Sequence, residues 1–203
     1  MARVLVLFAH PALEKSRVHQ RLVAQVPDHP DLTFHDLYEE YPRLDVDVAR
    51  EQRLLTDHDV VVFQFPFYWY STPPMLKQWQ DLVLEHGWAY GSAGRALTGK
   101  TLLCALSAGG PDSAYGDEGY NGFSIRALLA PIERTAILCN MAYLPPWIVY
   151  GTHRLGPADI ERTAAAYRRL LEGLLDDRAT AVEASGRLDL NGVVGDWAAG
   201  GGA

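Results

Sequence analysis

Three loops carry the residues of this 203-residue chain whose types and spacing suit chemistry. The first reads AHPALEKS and runs into RVHQRL. Ser16 is placed to cap a helix, and a helix N-terminus offers unpaired N–H groups and the positive end of a dipole, a setting that suits phosphate. Lys15 and Arg17 add positive charge, and Val18 and His19 complete the first turn. His10 lies upstream in the same loop. The segment lacks both the G-x-G-x-x-G fingerprint and the Walker phosphate loop. Taken alone it also reads as an ordinary capped helix.

The second loop is FPFYWYSTPP. Contiguous exposed aromatics mark binding surfaces. Phe67, Tyr68, Trp69 and Tyr70 would grip a planar ring, with the backbone groups between them available for hydrogen bonds. The competing use of such a run is to plug a core. The third loop, ALSAGGPDSAYGDEGYNGF, places Gly109 and Gly110 after Ser107 and Ala108. Glycines let backbone approach a ligand closely. Their N–H groups would stabilise negative charge that develops on a ring, as an oxyanion hole does. Tyr115, Tyr120 and Asn121 add hydrogen-bonding side chains. By itself this loop would pass for a glycine-rich surface turn.

The elements that must position these loops alternate. Arg3–Phe8, Leu32–Leu37, Val60–Phe65, Thr101–Leu106 and Pro146–Tyr150 read as strands; the first and third are continuous apolar runs typical of strands buried on both faces. Helices are expected from Ser16 to Val26, over Asp47–Leu55, from Ser71–Pro74 onward with the stripe Met75, Leu76, Trp79, Leu82 and Val83, from Ser124 to Cys139 with Pro131 kinking or splitting it, and over Pro157–Leu175. Strand–helix alternation predicts an α/β fold, a flavodoxin-like doubly wound sheet of five parallel strands. In such sheets ligands bind beyond the carboxyl ends of the strands. The loops after strands one, three and four should therefore form one site. Residues 1–175 are expected to be one domain, and 176–203, rich in Ala and Gly, a flexible tail or an arm packed on another surface.

Hydrophobic residues make up 48% and charged residues 21%, the composition of a soluble globule. The net charge of −7 comes with no basic stripe, which argues against nucleic-acid binding. Cys104 and Cys139 sit in apolar runs and read as buried thiols, with no C-x-x-C and no metal site expected. The opening MARVLVLF is too short to span a membrane, so a cytoplasmic location is expected.

Taken together, AHP with Ser16 and its helix, FPFYWYSTPPMLKQW, HGWAYG, LTGK, SAGG and LPP resemble the NAD(P)H:quinone reductases of the DT-diaphorase type. They are most similar to the short bacterial branch, the ancillary oxidoreductases of glutathione-gated potassium efflux systems. The resemblance spans roughly residues 3–155. It implies a homodimer that binds FMN, with FAD as the alternative, and passes a hydride from NADPH or NADH to a quinone by ping-pong kinetics. It implies flavin contacts at His10, Ser16–His19, Phe67–Tyr70 and Ser107–Gly110, with His19 standing where relatives commonly have Asn. It places the helix after FPFYWYSTPP in a two-fold interface, and Trp88 and Tyr90 over the flavin across it. The larger relatives use a Tyr and a His in the third loop to manage charge on the reduced flavin. Tyr115 matches the Tyr, but the His position falls on Tyr120 or Asn121. Two other readings follow: a regulatory subunit of a potassium efflux transporter, peripheral at the inner membrane face, and a one-electron flavodoxin.

Overall fold

A computed structural model describes residues 1–178 and 187–194. Its centre is a parallel sheet. In chain order the elements are β1 (Val4–Phe8), α1 (Arg17–Val23), β2 (Leu32–Asp36), α2 (Leu37–Glu40), α3 (Val48–Asp57), β3 (Val60–Pro66), α4 (Pro74–Val83), β4 (Thr101–Ser107), α5 (Ile125–Leu128), α6 (Ala130–Leu138), β5 (Ala142–Tyr143), β6 (Trp147–Val149) and α7 (Pro157–Leu175). The strand order is β2-β1-β3-β4-β5, with β6 also paired to β4. All pairings are parallel. This is the doubly wound flavodoxin-like order, whose topological switch lies between β1 and β3.

The expected strand over Pro146–Tyr150 forms as β6, and a short β5 that the sequence reading did not expect precedes it. β5 pairs with the start of β4 at Thr101 and Leu102, and β6 with its end at Ala105–Ser107. Leu144-Pro145-Pro146 lies between, and prolines cannot donate to a ladder. The expected helix over Ser124–Cys139 is split into α5 and α6, with Pro131 in the first turn of the second piece. Asp36 ends β2 one residue early because its carboxylate caps α2 through Tyr38 and Glu39 N–H.

Every residue of β1 and β3 is buried. Alternate residues feed two cores. Leu5, Leu7, Phe63 and Phe65 face α3–α6. Val4, Val6, Val60 and Val62 face α1 and α7 through Val18, Leu22, Ile160 and Leu171. The α4 stripe Met75, Leu76, Trp79 and Val83 belongs to the first core rather than to a two-fold interface; only Leu82 stays exposed. Deep in that core, the fully buried Glu51 carboxylate accepts from His35 Nε2 (2.9 Å), Tyr41 Oη (2.5 Å) and Trp79 Nε1 (2.8 Å), tying α3 to β2 and α4. A buried carboxylate is tolerable only with donors of this kind. Burial holds the Cys104 thiol up at about 12, and Cys139 is raised for the same reason, as befits structural thiols.

Of the expected tail over 176–203, residues 187–194 lie against the open side of β6. Asn191 Nδ2 donates to Ile148 O (2.7 Å) and its Oδ1 accepts from Ile148 N (2.9 Å), while Leu190 and Val194 are buried in the second core. A side-chain amide thus completes the exposed edge that a strand would otherwise present.

Candidate functional site

The sheet brings the loops after β1, β3 and β4 together at its carboxyl edge, and the loop after β6 joins them. They enclose a cleft of about 760 Å³, within the size range of cofactor sites. His10, Ser16, Arg17 and Val18 line it from the first loop; Phe67, Tyr68 and Trp69 from the second; Ser107 and Gly109 from the third; Thr152 and His153 from the fourth.

At the α1 end, Ser16 Oγ accepts from His19 N (3.0 Å), the expected cap. The N–H groups of Arg17 and Val18 have no hydrogen-bond partner among the described residues. Lys15 lines the same end of the cleft, and the Arg17 guanidinium is anchored on Leu155 O (2.7 Å). His19 is buried, with its ring 5.0 Å from that of His10. Burial, with His10 close by, pushes the His19 imidazole down to about 3. Burial also lowers His10, against the opposing pull of Glu14. Both rings are therefore neutral near pH 7, and positive potential at this end comes from backbone N–H groups, Lys15 and Arg17. His19 Nε2 meets Ser107 Oγ at 2.9 Å, but Nδ1 is buried with no partner.

The aromatic loop is a tight turn. Tyr68 and Ser71 exchange both backbone hydrogen bonds (3.1 and 3.0 Å). Trp69 (φ 49°) and Tyr70 (φ 64°) occupy the left-handed positions between them. Such turns normally take Asn or Gly there. Bulky residues in that conformation store strain, a feature that clusters at ligand clamps. Trp69 is 93% exposed, so its own burial does not hold it there. Phe67, by contrast, is buried, and its N–H donates to Ser107 O (2.8 Å), locking this loop to the next.

In the third loop Ala108 N donates to Val149 O (2.8 Å). The N–H groups of Gly109 and Gly110 have no partner among the described residues. Tyr115 packs on Gly110, where a methyl group would lie 3.4 Å from its hydroxyl, and its ring contacts Phe67 and Tyr150. Burial, then Tyr120 and Tyr70, raise the Tyr115 hydroxyl above its ordinary value, so it stays an O–H donor. Asn121 accepts from Tyr70 Oη (3.2 Å) and donates to Ala114 O (2.9 Å). Tyr120 is 83% exposed and takes no part in this network. Trp88 and Tyr90 are half-buried against the first core and do not line the cleft of a single chain.

His153 and Thr152 were outside the expected set. The third loop has no histidine, but His153 arrives from the loop after β6, and a methyl on Gly109 would lie 2.7 Å from its Nε2. The clue was position alone: the segment GTH follows a strand, at the same carboxyl edge as the other loops.

The unpartnered N–H groups at Arg17 and Val18, the orphaned His19 Nδ1, the aromatic turn, and the open N–H pair at Gly109 and Gly110 suit one ligand: a planar, hydrogen-bonding ring system joined to a phosphate. That is the donor set a flavin mononucleotide needs. The G-x-G-x-x-G dinucleotide fingerprint is absent from the sequence.

Comparison with known proteins agrees. A family described as flavodoxin-like fold matches residues 2–174. The uncharacterized NAD(P)H oxidoreductase YrkL of Bacillus subtilis is 46% identical over 162 residues, covering 80% of this chain and 93% of that protein. The glutathione-regulated potassium-efflux system ancillary protein KefG of Cronobacter sakazakii is 41% identical over 170 residues, covering 84% of this chain and 92% of its own. Among solved structures, general stress protein 14 of Treponema denticola in complex with FMN is 43% identical with a TM-score of 0.80, covering 85% of this chain and 99% of that one. An NADPH-quinone reductase of P. pentosaceus is 33% identical with a TM-score of 0.75, covering 83% and 97%. The chain belongs to the flavodoxin-like NAD(P)H oxidoreductase family.

Proposed function

We propose that this protein is an NAD(P)H:quinone oxidoreductase that works through FMN held in the cleft. The observation that carries the reading is that one cleft gathers the aromatic turn with unpartnered N–H groups from two loops, Arg17 and Val18 from the first and Gly109, next to the equally unpartnered Gly110, from the third. The FMN-bound Treponema relative supports FMN over FAD. Bound flavin supplies the hydride chemistry, accepting from NADPH or NADH and delivering to a quinone or similar two-electron acceptor.

The protein's part is position and electrostatics. Ser16–His19, with His10 and Lys15, hold the phosphate end. Phe67–Tyr70 grip the ring, and Gly109 and Gly110 present their free N–H groups to its polar edge, held in place by Ser107 and Ala108, whose backbone groups bond to Phe67, Val149 and Thr152. Gly109, Gly110 and the Tyr115 hydroxyl meet negative charge that arises on reduction; Asn121 fixes the third loop to the second through Tyr70. The exposed face admits donor and acceptor in turn, which requires ping-pong kinetics. A homodimer would bring Trp88 and Tyr90 of a second copy over that face.

Purified protein should be yellow, with one flavin per chain identified by mass spectrometry, and initial rates with NADPH and a benzoquinone should give parallel double-reciprocal lines. A colourless protein that takes up neither FMN nor FAD on reconstitution overturns the reading.

A second role rests on the KefG relatives: docking on a potassium efflux transporter as an ancillary subunit, in the cytoplasm at the inner face of the membrane. No helix among the described residues is long and apolar enough to cross a membrane, so such docking would be peripheral. Co-purification with a co-expressed transporter of that class tests it, and a transporter that emerges alone at low salt counts against it.

A further inference from the structure

We propose that His153 Nε2–H is a further side-chain donor, beside the Tyr115 hydroxyl, that meets the negative charge left on the flavin after hydride transfer, reaching Gly109 from the loop after β6. The proposal rests on the flavin reading above and adds a residue and a role to it.

The first support is geometry. The turn carrying His153 is stitched to the third loop by backbone: Gly151 N donates to Gly110 O (2.8 Å) and Thr152 N to Ala108 O (3.2 Å). Arg154 N closes the turn on Gly151 O (2.8 Å), and Gly151 adopts φ +66°, a conformation that favours glycine. These bonds seat the imidazole directly on Gly109, where an added methyl would lie 2.7 Å from Nε2 and push the ring aside. The N–H groups of Gly109 and Gly110, the other donors at this spot, are equally without partners among the described residues.

The second support is charge. Between Pro111 and Gly122 the third loop carries Asp112, Asp117 and Glu118 and no Lys, Arg or His. Lys15, Arg17, His10 and His19 all come from the first loop and the helix after it, at the phosphate end. His10 and His19 are moreover held neutral by burial. His153 is the histidine that lines the cleft against Gly109. A hydride brings two electrons and one proton, so the ring gains one negative charge as the nicotinamide loses one; no further reactant is needed for a fixed N–H donor to stabilise the product. A group acting only on the reduced state shows up as a change in potential, not in affinity for oxidised flavin.

The test uses the full-length holoprotein and two variants, His153→Ala and His153→Gln, the latter keeping an N–H within similar reach. FMN affinity is measured by fluorescence titration and the two-electron midpoint potential by dye equilibration at pH 7. Expected for His153→Ala is oxidised FMN binding within about threefold of the parent and reduced FMN bound roughly tenfold more weakly relative to it, a midpoint lower by about 30 mV for this two-electron couple. His153→Gln should recover at least half of that shift. An unchanged midpoint in His153→Ala, an equal loss of affinity in both oxidation states, or no recovery by Gln overturns the role of His153. A parent protein that binds no flavin overturns instead the reading on which the proposal stands.

Discussion

His19 Nε2 lies 2.9 Å from Ser107 Oγ, so the first turn of α1 is tied to the end of β4 beneath the cleft. The bond joins the two loops assigned to opposite ends of the ligand. It is made by a ring that burial keeps neutral, at about 3 against an ordinary value of 6.5. A neutral imidazole has one donor and one acceptor nitrogen, and Nδ1 is left for something else.

This arrangement fixes a pH dependence. The folded imidazole binds a proton less readily than the unfolded one, so its contribution to stability is fully present above pH 6.5. It is lost as pH falls toward 3, because only the unfolded chain takes up the proton. The fall from 6.5 to about 3 corresponds to ~5 kcal/mol over that window. His19→Asn, which cannot titrate, should flatten the acid limb of apo-protein stability by up to one proton. His10 stays in both proteins, so the difference isolates His19. Urea titrations from pH 7 to 4 measure it, and equal slopes in the two proteins would show that His19 does not govern this window.

Much of this frame was legible in the chain. Ser16 was identifiable as a cap because a hydroxyl before a helical run has one obvious use, and His19 N–H does donate to it. Continuous apolar runs marked β1 and β3 because both faces of a doubly wound sheet are covered. The fifth strand formed where it was read, as β6, but the two-residue β5 was missed because Leu144-Pro145-Pro146 cuts it too short to leave a periodicity. The α4 stripe was assigned outward from family likeness, although four apolar residues at helical spacing serve a core just as well. His153 was missed for another reason: nothing local distinguishes GTH, and only the backbone bonds from Gly151 and Thr152 to the third loop bring it to Gly109.

The strained turn predicts a trade between stability and binding. Trp69 sits at φ 49° and is 93% exposed, so replacing it with glycine relieves strain while exposing almost nothing new. Strain of this kind costs on the order of 1–3 kcal/mol, and the extra freedom of glycine in the unfolded chain offsets about 0.5–1 of it. Trp69→Gly should leave apo-protein stability equal or up to ~2 kcal/mol higher by urea unfolding. FMN affinity should fall about tenfold, the equivalent of about 1.4 kcal/mol. Phe67→Ala should do the opposite to the fold, costing ~3 kcal/mol, since that ring is buried. A Trp69→Gly protein that is clearly less stable than the parent would mean that the turn is not strained.

Assembly can be separated from the core. Because Met75, Leu76, Trp79 and Val83 are spent inside the chain, a two-fold seam must use what remains outside, such as Leu82 and the HGWAYG segment. We expect a dimer by light scattering at micromolar concentration. Trp88→Ala should raise the KM for quinone while flavin content is unchanged, because Trp88 does not line the cleft of its own chain. Loss of flavin from this variant would place Trp88 in support of its own cleft instead.

The third loop offers two tyrosines with opposite environments. Tyr115 packs on Gly110 and against Phe67 and Tyr150, and its hydroxyl remains protonated because burial raises it. Tyr120 is 83% exposed. An O–H that meets charge only in the reduced state acts on rate more than on binding of oxidised flavin. Removing a preorganised donor costs about 3 kcal/mol in the strongest cases, and a partly solvated hydroxyl backed by the two glycine N–H groups should cost less. Tyr115→Phe should therefore slow flavin reduction by NADPH up to about tenfold, which is about 1.4 kcal/mol, with FMN still bound. Tyr120→Phe should change nothing measurable. Stopped-flow absorbance at the flavin band reads both. A larger effect from Tyr120→Phe would mean that Tyr120, whose hydroxyl lies close enough to Tyr115 to raise it, meets the charge instead. No effect from either would leave the charge to Gly109, Gly110 and His153.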